Sequence, residues 1–387
     1  MQTRVQDLSL TQTADAADGW LKVCRPVLSH FGELISRADF AGRNVACFQH
    51  VRPETPLILL PLVRAGAAVS IAAVNPDSTD DMAAATLARG GVNVWAWSGM
   101  TEEDRRVGLS QLAAEPADAI SDMGGELIAA VAERDGPFPA AALEATTSGI
   151  SHLAGRDIPF PVFDWNDIAL KDRIHNRYHV GMQAWPVISD ITGLAIYGRS
   201  VLVVGFGPVG QGVATQARAL GAIVSVAELD PVRALEAQQL GLRTVSLEEG
   251  LASCTIVVTA TGRQGVIGPE QLARTRAGAI LANVGHGNRE IDLDWLEDRP
   301  HQAVRPHIER YELEDHDVFL LNRGSLVNLS GDAGIEVEEL FDPFAAVMLR
   351  GLAWILEGGA AGAPHGIQPY PAHLEREIAD LLLSARA

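Results

Sequence analysis

The sequence has few cysteines, no long apolar run and a deficit of positive charge. Its 387 residues include three cysteines, Cys24, Cys47 and Cys254, whose number and spacing fit neither a disulfide framework nor a zinc site. No stretch approaches about 18 uninterrupted apolar residues, and the first residues lack the apolar core of a signal peptide. A formal charge of −19 argues against a nucleic-acid surface, which needs clustered Lys and Arg. We therefore expect a soluble, cytoplasmic protein that binds no metal, membrane or nucleic acid.

Strand-like and helix-like segments alternate in the first hundred residues. Apolar runs predict strands over 44–48, 68–74 and 92–96, and helices over about 54–65 and 80–89. This alternation is typical of a doubly wound α/β domain with a parallel sheet.

The next segments are less regular. Residues 119–121 are a further candidate strand. The segments 137–145 and 159–166 are interpreted as loops or edge segments. A helix is expected over about 178–192, with a break near Pro186.

Two helical patterns follow near the C-terminus, over about 344–356 and 373–385. Two short helices cannot form a core alone, so we expect them to pack on the first domain.

Residues 200–230 carry the dinucleotide-binding fingerprint of a Rossmann domain. An apolar run leads into Gly205-Phe206-Gly207-Pro208-Val209-Gly210 and a helix-like stretch, and a second apolar run ends in Glu228. The glycines permit a tight turn, close approach of a pyrophosphate and close helix packing, and the helix N-terminus supplies N–H groups. The Glu228 carboxylate would bind ribose hydroxyls and repel a 2′-phosphate, which favours NAD over NADP.

The patterns together predict an α/β fold of two domains. A Rossmann NAD-binding domain is expected over 183–333, and a discontinuous α/β substrate domain over 1–182 and 334–387. Such an arrangement would place the substrate cleft against the nicotinamide, between the domains.

Further short motifs in the cofactor half are Glu228–Pro231, Thr259–Gly262, Asn283–His286, Glu290–Asp292 and Leu326–Leu329. With the fingerprint, they resemble the S-adenosylhomocysteine hydrolase family, and the similarity spans roughly residues 40 to 345. The resemblance implies a tightly held NAD. It also implies a set of cofactor-binding residues: Gly205, Gly207, Pro208, Val209, Gly210, Glu228, Thr259, Thr261, Gly262, Asn283, Gly285 and Asn328.

The substrate half carries matching motifs in the same order. They are His50 with Glu54-Thr55, Asn75 with Ser78-Thr79, Trp95–Trp97, Gly124-Gly125, Thr146–Gly149, and Asn166-Asp167 with Lys171 and Asn176. The resemblance implies substrate-binding roles for Glu54, Thr55, Thr146 and Lys171. It implies catalytic roles for His50, Lys171, His175, Asn176 and His286.

The substrate half also departs from the family pattern at four positions. Met123 stands where the family has a catalytic aspartate, and Ala145 where it has a ribose-binding glutamate. His175 replaces another aspartate, and Ile335 replaces a histidine of the substrate site. The cofactor half is thus kept and the substrate half is rewritten, which implies a substrate that differs at the sugar and at the leaving group.

The family's chemistry is a transient oxidation at C3′ of a nucleoside, followed by loss of the C4′ proton and of a group at C5′. Lys171 with Asn176 would serve the 3′ hydroxyl, because a lysine beside the nicotinamide cation would have a lowered pKa. His50 would protonate the leaving group, His175 would replace the missing aspartate as proton acceptor, and His286 would lie near the nicotinamide or the leaving group.

Two residues leave alternatives open. Glu144 could recover the carboxylate lost at Ala145, although one residue of displacement usually turns a side chain elsewhere. Arg52 falls where the family has a small hydroxylated residue, and could meet an anion, close the pocket or lie at the surface.

We expect an adenosylhomocysteinase-like hydrolase or lyase that eliminates or adds a group, such as water, at C5′ of a nucleoside or nucleoside-like substrate. The alternatives are an authentic S-adenosylhomocysteine hydrolase, a non-catalytic NAD-binding regulator and a simple dehydrogenase. The chain ends in LLLSARA, without the family's lysine- and tyrosine-bearing tail. We therefore expect looser NAD retention, in a homodimer or homotetramer.

Overall fold

The computed structural model describes residues 1, 3–10, 20, 23–285, 289–329 and 338–385. The chain forms two compact units. Unit 1 comprises Met1–Lys171 and Glu338–Ala387, and unit 2 comprises Asp172–Val337. Unit 2 therefore spans residues 172–337, whereas the sequence patterns predict a domain over 183–333.

Unit 1 is built on a seven-stranded sheet in which all neighbouring strands are parallel, in the order β15-β6-β5-β4-β1-β2-β3. Its strands are β1 (Asn44–Gln49), β2 (Ala68–Ala73), β3 (Asn93–Trp95), β4 (Ala119–Asp122), β5 (Ala141–Glu144), β6 (Pro161–Asp164) and β15 (Gly366–Pro369). Its helices are α1 (Pro26–Ile35), α2 (Thr55–Arg64), α3 (Asp81–Arg89), α4 (Glu102–Ala114), α5 (Glu126–Ala132), α6 (Thr147–Leu153), α13 (Asp342–Leu356) and α14 (Ala372–Ala385).

The helices close both faces of this sheet because its strands are apolar on both sides. Strands β1, β2, β4 and β5 are buried along nearly their whole length, as parallel strands covered by helices must be. Helix α13 packs on α1, α2, β4 and β5, so the late helices return to the first core as expected.

The interpretation of 137–145 and 159–166 as loops or edge segments is wrong. Strand β5 lies between β4 and β6, and β6 lies between β5 and β15. The prolines that suggested loops flank short strands, and Pro161 is the first residue of β6, where a missing N–H is tolerated.

Unit 2 contains an eight-stranded sheet in the order β12-β13-β14-β11-β10-β7-β8-β9. Its strands are β7 (Ser200–Val204), β8 (Ile223–Ala227), β9 (Arg243–Thr244), β10 (Ile256–Thr259), β11 (Ala279–Asn283), β12 (His301–Arg305), β13 (Ile308–Glu312) and β14 (Asp317–Leu321). Its helices are α7 (Val180–Thr192), α8 (Pro208–Ala219), α9 (Pro231–Gln239), α10 (Leu247–Ser253), α11 (Pro269–Leu272) and α12 (Leu293–Glu297). The antiparallel extension β12–β14 has no counterpart in the sequence predictions.

A π-helix, Leu170–His179, precedes α7. The expected break near Pro186 is wrong, because Pro186 lies inside the continuous helix α7. Proline removes one backbone hydrogen bond there, and the neighbouring side chains Trp185, Val187 and Ile188 are buried and hold the helix in place. Within the described residues, no helix combines the length and the apolar character that a membrane span requires.

Candidate active site

The polar groups of unit 1 gather at the carboxyl ends of its parallel strands. His50 follows β1 and Thr146 lies after β5, whereas the residue after β4 is the apolar Met123. Asn166 follows β6, and Ser78 ends a 3₁₀ turn after β2. The carboxyl edge of an open α/β sheet is where such folds bind ligands, so this edge is the candidate substrate side of unit 1.

His50 is held by a short hydrogen bond between its Nδ1 and the Ser78 hydroxyl oxygen, at 2.5 Å. Burial, and secondly the positive charge of Arg52, lower the pKa of His50 to about 4. The imidazole is therefore neutral at pH 7, with one ring nitrogen that donates a hydrogen bond and one that accepts.

The residues after His50 form a local turn. The Thr55 hydroxyl accepts the Arg52 N–H at 2.8 Å and donates to the His50 carbonyl at 3.4 Å, and the residue is 2% exposed. Glu54 occupies the cap position of α2 without capping it through its side chain. Thr55 therefore shapes the turn that follows β1. The side chain of Glu54 is partly buried.

Lys171 is positioned by two oxygens. Its Nζ donates to the Ala145 carbonyl at 2.8 Å and to Asn166 Oδ1 at 2.5 Å, and it lies 5.9 Å from the Phe344 ring centroid. Two acceptors at these distances fix the orientation of the amine.

Glu144 does not present a carboxylate at the edge, as one alternative allowed. The residue is fully buried, and its Oε1 accepts the N–H groups of Gly124 at 3.1 Å and Thr146 at 2.8 Å and the Thr146 hydroxyl at 2.7 Å. Ala145 is also buried, at 2% exposed. The carboxylate of Glu144 is therefore used inside unit 1, to hold the loops after β4 and β5.

The π-helix carries Lys171, His175 and Asn176. π-Helical turns are rare and are found frequently at functional sites. The His175 and His179 rings meet edge to face with centroids 5.7 Å apart, and His179 is buried. Asn176 is partly buried.

In unit 2, the turn between β7 and α8 has the geometry of a dinucleotide-binding loop. Gly205 adopts φ +92°, and a Cβ at Gly210 would collide with the Gly205 carbonyl. Helix α8 begins at Pro208 after Gly207, and no side chain caps its N-terminus. Val209 lies in this first turn, so the loop offers backbone N–H groups and little side-chain bulk to an anion.

Glu228 stands directly after β8. Its Oε2 accepts the Phe206 N–H of the glycine turn at 2.6 Å, and its Oε1 accepts the N–H groups of Leu229 and Asp230. The carboxylate is therefore fixed beside the turn, where an adenosine ribose would be bound.

The loops after β10 and β11 are tied together by Glu290, which is 1% exposed. Its carboxylate accepts the N–H and hydroxyl of Thr261 and the N–H of Gly262, and a Cβ at Gly285 would collide with it. Sequence reasoning assigned Glu290 no role of its own. The available signal was an acidic residue inside one of the motifs of the cofactor half; the structure adds that this residue is buried.

Thr259 and Asn283 are fully buried. Asn283 Oδ1 accepts the Thr259 hydroxyl at 3.2 Å and the Gly285 N–H at 2.8 Å. Both side chains therefore stabilise the chain where β10 and β11 end.

Asn328 lies in a 3₁₀ turn, Val327–Leu329, and its buried Oδ1 has no hydrogen-bond partner among the described residues. An orphaned amide oxygen of this kind, together with the glycine turn and Glu228, fits a bound dinucleotide whose carboxamide or hydroxyl groups supply donors. Two residues singled out in the sequence, His286 and Ile335, lie outside the described residues.

Comparison with known proteins identifies the family of the chain. The S-adenosyl-L-homocysteine hydrolase family model matches residues 27–151, and the model of the family's NAD binding domain matches residues 181–334. The S-inosyl-L-homocysteine hydrolase of Methanocaldococcus jannaschii is 34% identical over 351 residues, 88% of this chain and 85% of that protein. The adenosylhomocysteinase of Thermococcus kodakarensis is 34% identical over 392 residues, 98% of this chain and 93% of that protein.

One solved structure is similar to this chain in fold only. The dipicolinate synthase chain of Bacillus halodurans has a TM-score of 0.50 and 15% identity, over 81% of this chain and 99% of that one. The two family matches together cover most of the chain, and the second includes the glycine turn and Glu228, so NAD is the cofactor. The chain belongs to the S-adenosyl-L-homocysteine hydrolase family and is an enzyme that uses NAD.

Proposed function

We propose that the enzyme eliminates or adds a group, such as water, at C5′ of a nucleoside or nucleoside-like substrate, through transient oxidation at C3′. The observation that carries this proposal is the placement of Lys171, whose Nζ is held by the Ala145 carbonyl and Asn166 Oδ1 at the carboxyl edge of unit 1. A lysine serving only solubility would not need two fixed oxygen partners. NAD, when bound, accepts a hydride from the substrate and later returns it.

Lys171 takes the proton of the 3′ hydroxyl in this proposal, assisted by Asn176. With the hydroxyl oxidised to a ketone, the C4′–H becomes acidic. A base removes this proton, the group at C5′ leaves with its bonding electrons, and a C4′–C5′ double bond forms. Addition of water and return of the hydride close the cycle. If the hydride returns before water adds, the product is a 4′,5′-alkene.

His50 and His175 complete the proton transfers. His50 is neutral at pH 7, because burial and Arg52 lower its pKa to about 4, so a ring N–H would donate a hydrogen bond to the leaving hydroxyl or thiolate while Ser78 holds the ring in place. His175 takes the place of the family's aspartate as acceptor near C4′, and His286 serves the nicotinamide or leaving-group side. A histidine in place of a carboxylate lowers the negative charge around the reacting carbon.

The substrate is proposed to differ from S-adenosylhomocysteine at the ribose and the leaving group. Ala145 is buried and offers a methyl group where the family has a ribose-binding glutamate, and Glu144 is committed to backbone N–H groups. Met123 likewise offers no charge after β4. Glu54, Thr55 and Thr146 are the remaining proposed substrate contacts, either directly or through the turns they shape.

The test is to mix the purified holoenzyme with adenine and hypoxanthine nucleosides that carry different 5′ groups, S-adenosylhomocysteine and S-inosylhomocysteine included. The near-ultraviolet absorbance of reduced nicotinamide is followed, and the products are identified by mass spectrometry. We expect transient reduction and loss of the 5′ group from one nucleoside class. Turnover of S-adenosylhomocysteine above all others would instead identify an authentic hydrolase. Bound NAD that no compound reduces would contradict catalysis on nucleosides.

A further inference from the structure

Two buried carboxyl groups lie side by side in unit 1, and neither faces solvent. Asp122 ends β4 and Glu144 ends β5, and the two residues are direct partners in the parallel register of these strands. Side chains at paired positions of neighbouring strands point to the same face of a sheet, with strands about 4.8 Å apart. Both residues are fully buried. Two carboxylates cannot both be ionised at this spacing in a protein interior without a large cost.

The hydrogen-bond partners of the two carboxyls are unequal. Glu144 accepts the N–H groups of Gly124 and Thr146 and the hydroxyl of Thr146. Asp122 accepts the Ile128 N–H through Oδ2, whereas its buried Oδ1 has no hydrogen-bond partner among the described residues. Donors that converge on a carboxylate stabilise its charged form. The charge is therefore favoured on Glu144, and a proton is favoured on Asp122.

The pKa of Asp122 agrees with this assignment. Burial, and secondly the charge of Glu144, raise the pKa of Asp122 well above its ordinary value, although hydrogen bonds from the Ile128 and Leu127 N–H groups act in the opposite direction. Burial also raises the pKa of Glu144, but its hydrogen bonds with Thr146, Gly124 and Gly125 act in the opposite direction.

Other charged groups around the pair have partners of their own. Glu126, at the start of α5, accepts hydrogen bonds from Arg105 of α4. On the other side, Asp164 pairs in register with Glu144 and accepts the Asn166 N–H. On β1, the residue opposite Asp122 is the apolar Phe48. Helix α13 packs on both strands and directs Asp342 to the N–H groups of Val27 and Leu28, and Arg350 to Glu357 and Glu377.

The Glu144 carboxylate is connected to Lys171 through one peptide unit. Glu144 fixes the N–H of Thr146, and the carbonyl of the intervening Ala145 accepts the Lys171 ammonium at 2.8 Å. The fit around Glu144 is close, because a Cβ at Gly149 would collide with its carboxylate. In the described part of the chain, no group of three or more His, Cys, Asp or Glu residues has the arrangement of a metal site. Glu144 thus shapes the loop that holds Lys171.

We propose that Asp122 holds a proton at neutral pH, that Glu144 is ionised, and that the Glu144 carboxylate is a positioning residue for Lys171 through the Ala145 carbonyl. The consequence for catalysis rests on the proposed function, in which Lys171 takes a proton from the substrate. The protonation states and the link to Lys171 do not depend on it.

The sequence allows a direct test, because it contains only two lysines, Lys22 and Lys171. Holoenzyme labelled with ¹⁵N in lysine alone gives two side-chain signals, and Lys22→Arg identifies the signal of Lys171. The titration of this signal is compared in wild type, Glu144→Gln and Asp122→Asn. We expect Glu144→Gln to lower the midpoint by roughly one pH unit, because a nearby negative charge is lost. Asp122→Asn exchanges one neutral group for another and leaves the midpoint in place.

The reverse pattern, a shift in Asp122→Asn alone, would place the proton on Glu144 and overturn the proposal. No shift in either variant would overturn the link to Lys171. Infrared spectroscopy gives a second measurement, which holds even if Glu144→Gln does not fold. Wild type at neutral pH is expected to show the C=O stretch of a protonated carboxyl, and Asp122→Asn to lack it. A band that persists in Asp122→Asn would refute the assignment. Neither readout needs a substrate, so failure of the proposed reaction is distinguishable.

Discussion

The two units of this enzyme use the carboxyl ends of a parallel sheet in different ways. In unit 2, β7 ends in a glycine turn, and we expect NAD recognition to rely on backbone N–H groups, on the close approach that Gly205 and Gly210 allow, and on the fixed carboxylate of Glu228. In unit 1 the residues that follow the strands carry polar side chains, among them His50, Thr146 and Asn166. Backbone recognition tolerates little change, because a single Cβ blocks it. Side-chain recognition changes with one substitution, as Met123 and Ala145 illustrate.

The largest expected effect is the loss of NAD binding in Gly210→Val. A Cβ at this position would collide with the Gly205 carbonyl, so the turn must open. We expect NAD affinity to fall more than about tenfold and the free energy of unfolding to fall by roughly 1–3 kcal/mol. Calorimetric NAD binding and chemical unfolding measure the two effects. Gly268→Ala is the matched control, since its Cβ meets only Gln271 Oε1 at 3.4 Å. An unchanged affinity in Gly210→Val would show that unit 2 does not depend on this close packing.

Lys171→Met is expected to impair turnover while the protein still binds NAD. Removing the proposed base should lower turnover by on the order of 10²–10⁴-fold, because general base catalysis contributes about this much. NAD affinity should change far less than turnover, since the glycine turn and Glu228 belong to unit 2. Nicotinamide reduction by the active nucleoside and NAD binding are measured on the same preparations. Arg173→Met, at an exposed position of the same π-helix, controls for loss of positive charge. Equal turnover in both variants would remove Lys171 from the chemistry.

Glu290→Gln should have a smaller effect, confined to unit 2. The buried carboxylate holds the N–H groups of Thr261 and Gly262, and a neutral amide weakens such charge-assisted hydrogen bonds. We expect a loss of roughly 1.5–3 kcal/mol in the free energy of unfolding. Weaker NAD binding should accompany it. Denaturant unfolding with and without NAD checks both, and the exposed Glu270→Gln is the control. A variant as stable as wild type would mean that the loops hold their shape without this charge.

The smallest expected effect concerns the His50 pKa. Arg52→Gln removes a positive charge that favours the neutral imidazole, so the pKa of His50 should rise from about 4. It should stay below the ordinary value, because burial is the larger cause. The folded-state pKa is lowered, so His50 opposes folding as pH falls below about 6.5, and the variant should be the more stable protein in acid. Imidazole NMR titration measures the shift, with the exposed Arg37→Gln as control. A lower pKa in Arg52→Gln would contradict this electrostatic picture.

In unit 2 the sequence predicted those features that depend on a local pattern of residues. The strand–glycine–helix–acid pattern requires particular residues at particular spacings, and Gly205, Gly210 and Glu228 have the geometry that the pattern implies. The antiparallel strands β12–β14 escaped prediction, since their pairing depends on contacts distant in the sequence. In unit 1 the proline-bounded strands β5 and β6 were missed for a related reason. Four-residue strands carry too little periodicity to outweigh flanking prolines.

For unit 1, the identity of the polar groups was readable but their partners were not. Lys171 was singled out from its motif, yet its orientation depends on the Ala145 carbonyl, which no side-chain pattern encodes. Glu144 was left open between a substrate contact and another role, and burial decides that question. The register that places Asp122 beside Glu144 follows only from the order of the strands.

The central claim is that Lys171 of unit 1 transfers a proton of a nucleoside that NAD oxidises transiently. Deuterium exchange at C4′ tests it most directly. The holoenzyme is incubated in heavy water with each 5′-substituted nucleoside, and label at C4′ is read by NMR and mass spectrometry. The account predicts exchange together with reversible nicotinamide reduction, both strongly diminished in Lys171→Met. Tightly bound NAD with neither exchange nor reduction would indicate a regulator, and net stoichiometric reduction without exchange a dehydrogenase. Either result would contradict the account.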